Sequence, residues 1–263
     1  MIKGFVLDMD GVLYHGDHAL PHAAAFMTWL RAWPFCCITN NPTRSPSAVA
    51  NRLARMGVHG VAPQQIITSA EATANWLAEK KPGFRYFAVG AAGLQEALAH
   101  KGEESREDAD FVVVGEGAID YDGIVTGINL VLQRGACLVG TNPDASVDGS
   151  RDGERVVLPG GGALMAPFTV ATGQDAVFIG KPEPGLYQMA LQRLGLAPAE
   201  CMMIGDRPDT DILGAQRLGM PTALVRTGRF APGEPLPAGV EPPSIDVDSL
   251  LSLHHALRLS QSC

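Results

Sequence analysis

Asp8 and Asp10 stand two residues apart where an apolar run ends, in IKGFVLDMDGVL. In extended backbone, residues i and i+2 face the same way, roughly 7 Å apart. If the strand geometry persists there, both carboxylates look into one site, where two ionised groups repel and raise one pKa unless a cation intervenes. Asp206, in MMIGDRPDTD, supplies a third acid from another apolar run, and Asp211 a fourth close by. An oxygen-rich set of this kind favours Mg²⁺, which keeps several waters and takes only one or two carboxylates from a protein. Lys181, in FIGKPEP, adds a positive charge suited to a phosphate oxygen. Thr39, Asn40 and Asn41, in CITNNPT, offer a hydroxyl, side-chain amides and backbone N–H groups.

Each of these groups follows a short apolar segment, and such segments alternate with helical patterns along the chain, which predicts βαβ units and a parallel sheet. Strands are expected over 2–9, 35–39, 84–90, 110–117, 136–142, 176–184, 201–206 and 222–228. Helices are expected over 22–33, 46–57 with Gly57 as its C-terminal cap, 68–80 opened by a Thr68/Glu71 capping box, 91–102, 123–135, 185–195, 211–219 and 246–260. Residues 229–243, rich in Pro and Gly, read as loop. Open α/β sheets bind ligands at the carboxyl ends of their strands. Four polar strand ends, VLDMD, CITNN, FIGKP and MMIGD, can therefore converge on one crevice.

The composition sets limits. The 263 residues are 46% apolar, enough for one large domain or two modest ones. A net charge of −8 without Lys/Arg clusters argues against nucleic acid or an anionic membrane surface as the main partner. The five cysteines, Cys36, Cys37, Cys137, Cys201 and Cys263, form no CxxC pair, and four lie in or beside apolar runs. That pattern reads as four buried thiols in a reducing compartment rather than a disulfide framework or zinc site. No stretch approaches ~18 apolar residues without charge, so a cytoplasmic protein is expected.

With DMDGVL at 8–13, TNN at 39–41, Lys181 in GKPEP and GDRPDTD at 205–211, the chain resembles the haloacid dehalogenase (HAD) superfamily of hydrolases. The long insert after TNN, with TNPD at 141–144 and PGGGAL at 159–164, is similar to the NagD-like, p-nitrophenylphosphatase branch. The resemblance implies an α/β fold: a Rossmann-like parallel-sheet core, residues 1–74 and 178–263, with an inserted α/β cap domain at 75–177. It implies an Mg²⁺-dependent phosphatase acting through an aspartyl-phosphate. Asp8 would be the nucleophile and Asp10 the proton shuttle. Asp8, the Asp10 main-chain carbonyl and Asp206 would hold the metal, with Asp211 behind them. Thr39, Asn40, Asn41 and Lys181 would grip the phosphoryl group, while Asn142 and Asp144 of the cap would meet the leaving group. The turn 147–155, with Arg151 and Arg155, is a further candidate for that contact.

The implied partner is a small phosphorylated metabolite: a nucleoside monophosphate, a sugar phosphate, phosphoglycolate or a p-nitrophenyl phosphate type of ester. A homodimer formed through the cap is left open. Related dehalogenases lack the second aspartate, so Asp10 favours phosphate esters over carbon–halogen bonds. Two alternatives stand beside the phosphatase: a phosphomutase or phosphotransferase acting on a sugar phosphate, and a non-enzymatic phosphate-sugar binder, which would be expected to lose Asp8 or Asp10.

Overall fold

The computed structural model of the chain describes residues 1–151 and 154–260. It divides into two compact units, the first made of Met1–Thr39, Pro46–Ile67 and the chain from Tyr187 onward, the second of Asn40–Ser45 and Thr68–Leu186.

The first unit is built on a six-stranded parallel sheet in the order Ile245–Val247, Thr222–Val225, Cys201–Gly205, Gly4–Leu7, Phe35–Thr39, Ile66–Thr68. The strands GFVL, FCCIT and CMMIG are buried throughout, as strands covered on both faces must be. Gly4–Leu7 lies between Cys201–Gly205 and Phe35–Thr39, pairing Leu7 with Ile204 on one side and Cys37 on the other. The chain winds outward from Gly4–Leu7 in both directions, so the switch point of the sheet falls beside this strand. Phe5, Leu7, Phe26, Leu30, Leu53, Leu250, Leu253 and Leu257 pack in its core.

The second unit carries a five-stranded parallel sheet in the order Val177–Phe178, Cys137–Gly140, Phe111–Val114, Arg85–Val89, Glu103–Glu104. Phe87, Val112, Val114, Leu138 and Phe168 form its core. The helix Ser69–Lys80 is opened as expected by Thr68, whose hydroxyl accepts the Glu71 N–H. Among the described residues, no helix is long and apolar enough to cross a membrane.

Three local differences from the sequence reading have physical causes. The segment 147–155 is not only a turn: Ser146–Arg151 pairs antiparallel with Glu154–Pro159, with Val147 opposite Leu158 and Asp148 opposite Val157, because the β-branched and apolar residues on both sides supply cross-strand partners. Residues 245–247, partly read as helix, add an edge strand beside Thr222–Val225, and the terminal helix starts only at Leu250. The segment 211–219 opens with a π-helical turn, Pro208–Ile212, before a short α-helix, Leu213–Arg217.

Candidate active site

Leu7 is the last residue of its strand, and the Asp8 N–H still donates to the Ile204 carbonyl at 2.8 Å. Because the neighbouring strand runs parallel in the register Leu7–Ile204, Asp206 emerges at the same sheet edge as Asp8. The π-helical turn then folds Asp211 back over Gly205, where the Arg207 N–H donates to Asp211 Oδ2 at 3.1 Å. Asp8, Asp206 and Asp211 are all buried, and each offers a carboxylate oxygen such that the three atoms lie within 4.8 Å of one another.

The surroundings fix this cluster in place. Tyr187, fully buried, donates from its hydroxyl to the Thr210 carbonyl at 2.8 Å and also reaches the Asp211 carbonyl at 3.3 Å, bracing the π-helical turn. Burial, then the charges of Asp211 and Asp8, push the Tyr187 phenol well above its ordinary pKa, so it remains a neutral donor. Burial, Cys36 and Asp8 likewise raise Cys37, while burial and Cys36 push Cys201 up to about 12; both stay thiols. On the far side of Asp206, Arg229 N donates to Oδ2 at 3.3 Å and Thr227 Oγ1 donates to the Gly11 carbonyl at 2.6 Å. A Cβ at residue 228 would overlap the Asp206 carboxylate, so only glycine lets this loop close on it.

Thr39 ends the strand on the other flank of Gly4–Leu7 and is buried. Asp10 behaves differently from Asp8. The strand has stopped, and residues 9–14 curl into a turn in which Leu13 N–H donates to the Met9 carbonyl at 2.8 Å and Gly11 N–H to the Tyr14 carbonyl at 2.8 Å. The Asp10 side chain is 47% exposed, outside the carboxylate cluster, and 3.8 Å from His15 Nδ1. A half-hydrated carboxyl outside the buried cluster suits proton transfer, and the exposure of the side chain does not bear on the main-chain carbonyl expected as a metal ligand.

Three buried carboxylates with oxygens within 4.8 Å of one another are a costly arrangement unless a cation or proton joins them. Their all-oxygen donor set fits a hard divalent cation. Asp8, Asp206 and Asp211 can therefore hold a metal ion.

The second unit contains the remaining motif residues. The Asn40 side chain clasps the Lys181 peptide from both sides: Oδ1 accepts Lys181 N–H at 2.7 Å, and Nδ2 donates to the Lys181 carbonyl at 3.0 Å. The same Nδ2 donates to Asp144 Oδ2 at 2.9 Å. Asn41 Oδ1 accepts Thr43 N–H at 2.8 Å, closing an Asx turn that shapes the loop. Lys181 is buried, 3% exposed. Asn142 and Asp144, expected to meet a leaving group, are also buried, and they hydrogen-bond to Asn40, Glu116 and each other. Gly160, Gly161 and Gly162, whose sequence allows either a close backbone approach or a tight bend, open the helix Gly161–Thr172 in close approach to Asn142–Asp144. Asp152 and Gly153 of the 147–155 candidate, with the side chains of Arg151 and Arg155, fall outside the described residues, as does Cys263.

Sequence reasoning missed Tyr187, Thr227, Gly228, Ser69 and Glu116. Tyr187 lies inside the helix expected over 185–195, with no local signal to set it apart. Arg226-Thr227-Gly228, just after the strand Thr222–Val225, was the available signal for the loop, because polar residues at a strand's carboxyl end mark the crevice. Glu116, also just past a strand end, carried the same signal.

An open, doubly wound parallel sheet with an acidic cluster at its switch point is an α/β fold with a candidate active site at the carboxyl ends of its strands. Residues 5–104 match the family described as haloacid dehalogenase-like hydrolase, and residues 178–253 a related HAD-hydrolase-like family. An acid sugar phosphatase of Staphylococcus aureus is 36% identical over 231 residues, covering 86% of this chain and 87% of that one. A 5′-nucleotidase of Bacillus subtilis, YutF, is 35% identical over 252 residues, covering 94% and 96%. Among solved structures, a p-nitrophenyl phosphatase from Archaeoglobus fulgidus superposes with TM-score 0.88 at 28% identity over 97% of this chain and 99% of that one. NagD from E. coli K-12 gives 0.83 at 30% identity over 95% and 97%. The chain belongs to the haloacid dehalogenase-like hydrolases. It is a NagD-like phosphoric monoester hydrolase.

Proposed function

We propose that the protein hydrolyses a small phosphate monoester, of the sugar phosphate or nucleoside monophosphate type, with Mg²⁺ and through a covalent intermediate on Asp8. The observation that carries this reading is the buried Asp8–Asp206–Asp211 cluster at the carboxyl ends of adjacent strands. Asp8, Asp206 and Asp211 would hold Mg²⁺, which when bound offsets the negative charge of phosphoryl group and nucleophile. The sugar phosphatase and 5′-nucleotidase relatives support the substrate class.

In this mechanism an Asp8 carboxylate oxygen attacks phosphorus, the P–O ester bond breaks, and Asp10 gives its proton to the leaving alkoxide. Asp10, now a carboxylate, takes a proton from water as that water's oxygen attacks the aspartyl-phosphate. Inorganic phosphate leaves and Asp8 is regenerated with Asp10 protonated. Asp10 reaches solvent for both transfers, consistent with its half-exposed side chain. Thr39, Asn41 and Lys181 orient the phosphoryl oxygens, and such positioning supplies most of the rate in phosphoryl transfer. The described cysteines are free thiols, Cys36, Cys37 and Cys201 buried as expected but Cys137 exposed at the start of the strand Cys137–Gly140, and free thiols are compatible with a reducing, cytoplasmic setting.

The test is hydrolysis of p-nitrophenyl phosphate, then of sugar phosphates and nucleoside 5′-monophosphates, before and after exhaustive chelation. Activity that vanishes on chelation and returns with Mg²⁺ is expected, together with loss of turnover but retained folding in Asp8→Asn. Full activity in the chelated protein would sink the metal, and turnover by Asp8→Asn would sink the covalent step.

A further inference from the structure

Asn142 has no exposed surface, and its hydrogen-bonding groups are engaged inside the second unit. Nδ2 donates to the Asn40 carbonyl at 2.8 Å and to Glu116 Oε1 at 2.9 Å, while Oδ1 accepts the Asp144 N–H at 3.1 Å. An amide nitrogen has two protons, so nothing on Nδ2 remains to donate to a substrate. Asp144, 5% exposed, accepts from Asn40 Nδ2. Ser69 Oγ donates to the same Asn40 carbonyl at 2.5 Å. Asn40 is thus held at its main chain by Asn142 and Ser69 and at its side chain by Asp144, and its own amide clasps both sides of the Lys181 peptide. Packing leaves no slack: a Cβ at Gly180 would lie 2.6 Å from the Thr141 carbonyl oxygen and 2.7 Å from Asn40 Oδ1.

Glu116 anchors the chain of contacts. It is buried, just beyond the strand Phe111–Val114, and its carbonyl accepts Ala91 N–H at 2.9 Å. Its carboxylate decides which way the Asn142 amide points, since only the nitrogen end can face it. A reversed amide would aim oxygen at the Asn40 carbonyl. We propose that Glu116, Asn142 and Asp144 are positioning residues which, through Asn40, set the place of Lys181, and that they do not contact the leaving group. The proposal rests on the phosphoryl-holding role proposed for Lys181. Its consequence is that this network governs the rate on every ester alike, and selectivity among esters is decided by other residues.

The experiment measures kcat and KM of wild type, Glu116→Ala and Glu116→Gln on p-nitrophenyl phosphate, a hexose phosphate and a nucleoside 5′-monophosphate, with the thermal midpoint of each protein. Glu116→Ala should lower kcat/KM about tenfold or more, the scale typical of residues that orient a site through another side chain, and by the same factor on all three esters. Glu116→Gln, which retains an acceptor for Asn142, should recover to within about threefold of wild type. A loss that differs more than tenfold between esters means direct contact with the leaving group and overturns the proposal, as does wild-type kinetics in Glu116→Ala or a failure of Gln to rescue. If Glu116→Ala does not fold, Asn142→Asp, which keeps the acceptor for Asp144 N–H but loses donation to Asn40, is judged by the same uniformity across esters. Wild type inactive on all three esters would instead overturn the function proposed above.

Discussion

Replacing Asn40 by aspartate isolates the clasp on Lys181. The change keeps the oxygen that accepts Lys181 N–H at 2.7 Å and turns the nitrogen, which donates at 3.0 Å to the Lys181 carbonyl and at 2.9 Å to Asp144, into a second oxygen. The lost neutral hydrogen bond is worth about 1 kcal/mol and the lost charge-assisted one about 2 kcal/mol. If both carboxylates stayed ionised 2.9 Å apart, repulsion at an effective dielectric near 20 would approach ~6 kcal/mol. The pair therefore takes up a proton, and the expected deficit at about pH 8 is ~3 kcal/mol or somewhat more. That lowers the thermal midpoint by about 6–12 °C in a chain of this size. The sign with pH follows from the introduced carboxyl, whose folded pKa is raised by Asp144 above the ordinary ~3.9. Such a group destabilises above its unfolded value, so the deficit relative to wild type grows as pH rises from about 4 and levels off once the folded pair has titrated. Thermal midpoints of mutant and wild type, and kcat/KM on p-nitrophenyl phosphate, are compared at about pH 5 and pH 8. A mutant matching wild type at pH 8, or a deficit no smaller at pH 5, would refute the clasp.

Three further outcomes are expected. Gly228→Ala, whose Cβ overlaps the Asp206 carboxylate, should raise the Mg²⁺ concentration needed for half-maximal activity about tenfold with little loss of folding, measured by metal titration of turnover. Tyr187→Phe removes the hydroxyl that braces the π-helical turn at Thr210 and Asp211 and should lower stability by about 1 kcal/mol, read by urea unfolding. His254, packed 5.1 Å from Trp29 with its Nε2 buried, has its pKa lowered by burial and then by the neighbouring Arg258 and His255. Its neutral form contributes stability that is complete above the ordinary value near ~6.5 and declines as pH falls below it. His254→Phe should flatten the fall in thermal midpoint between about pH 7 and pH 5; an unchanged slope would assign that fall to other groups.

The sequence by itself determined the alternation of strands and helices and the polar residues at the strand ends, because both are local. A buried strand must be apolar throughout, so the first polar residue after it marks the sheet's edge. On that basis Asp8, Thr39, Lys181 and Asp206 stood out before any fold was known. What lay beyond reach depended on contacts between distant segments. Asp211 was legible as a fourth acid close by, but that its carboxylate stands in the cluster with Asp8 and Asp206 follows from a π-helical turn, braced by Tyr187 from another helix, that folds it back. The edge strand Ile245–Val247 forms because Thr222–Val225 offers it an unpaired edge, a condition no local pattern records. Asn40 and Asn142 read as ligand-binding amides in isolation, and tertiary structure decided what their hydrogen-bonding groups meet. A buried amide must satisfy its donors and acceptors with whatever the fold brings beside it. Here the fold brings the Lys181 peptide, Asp144 and Glu116.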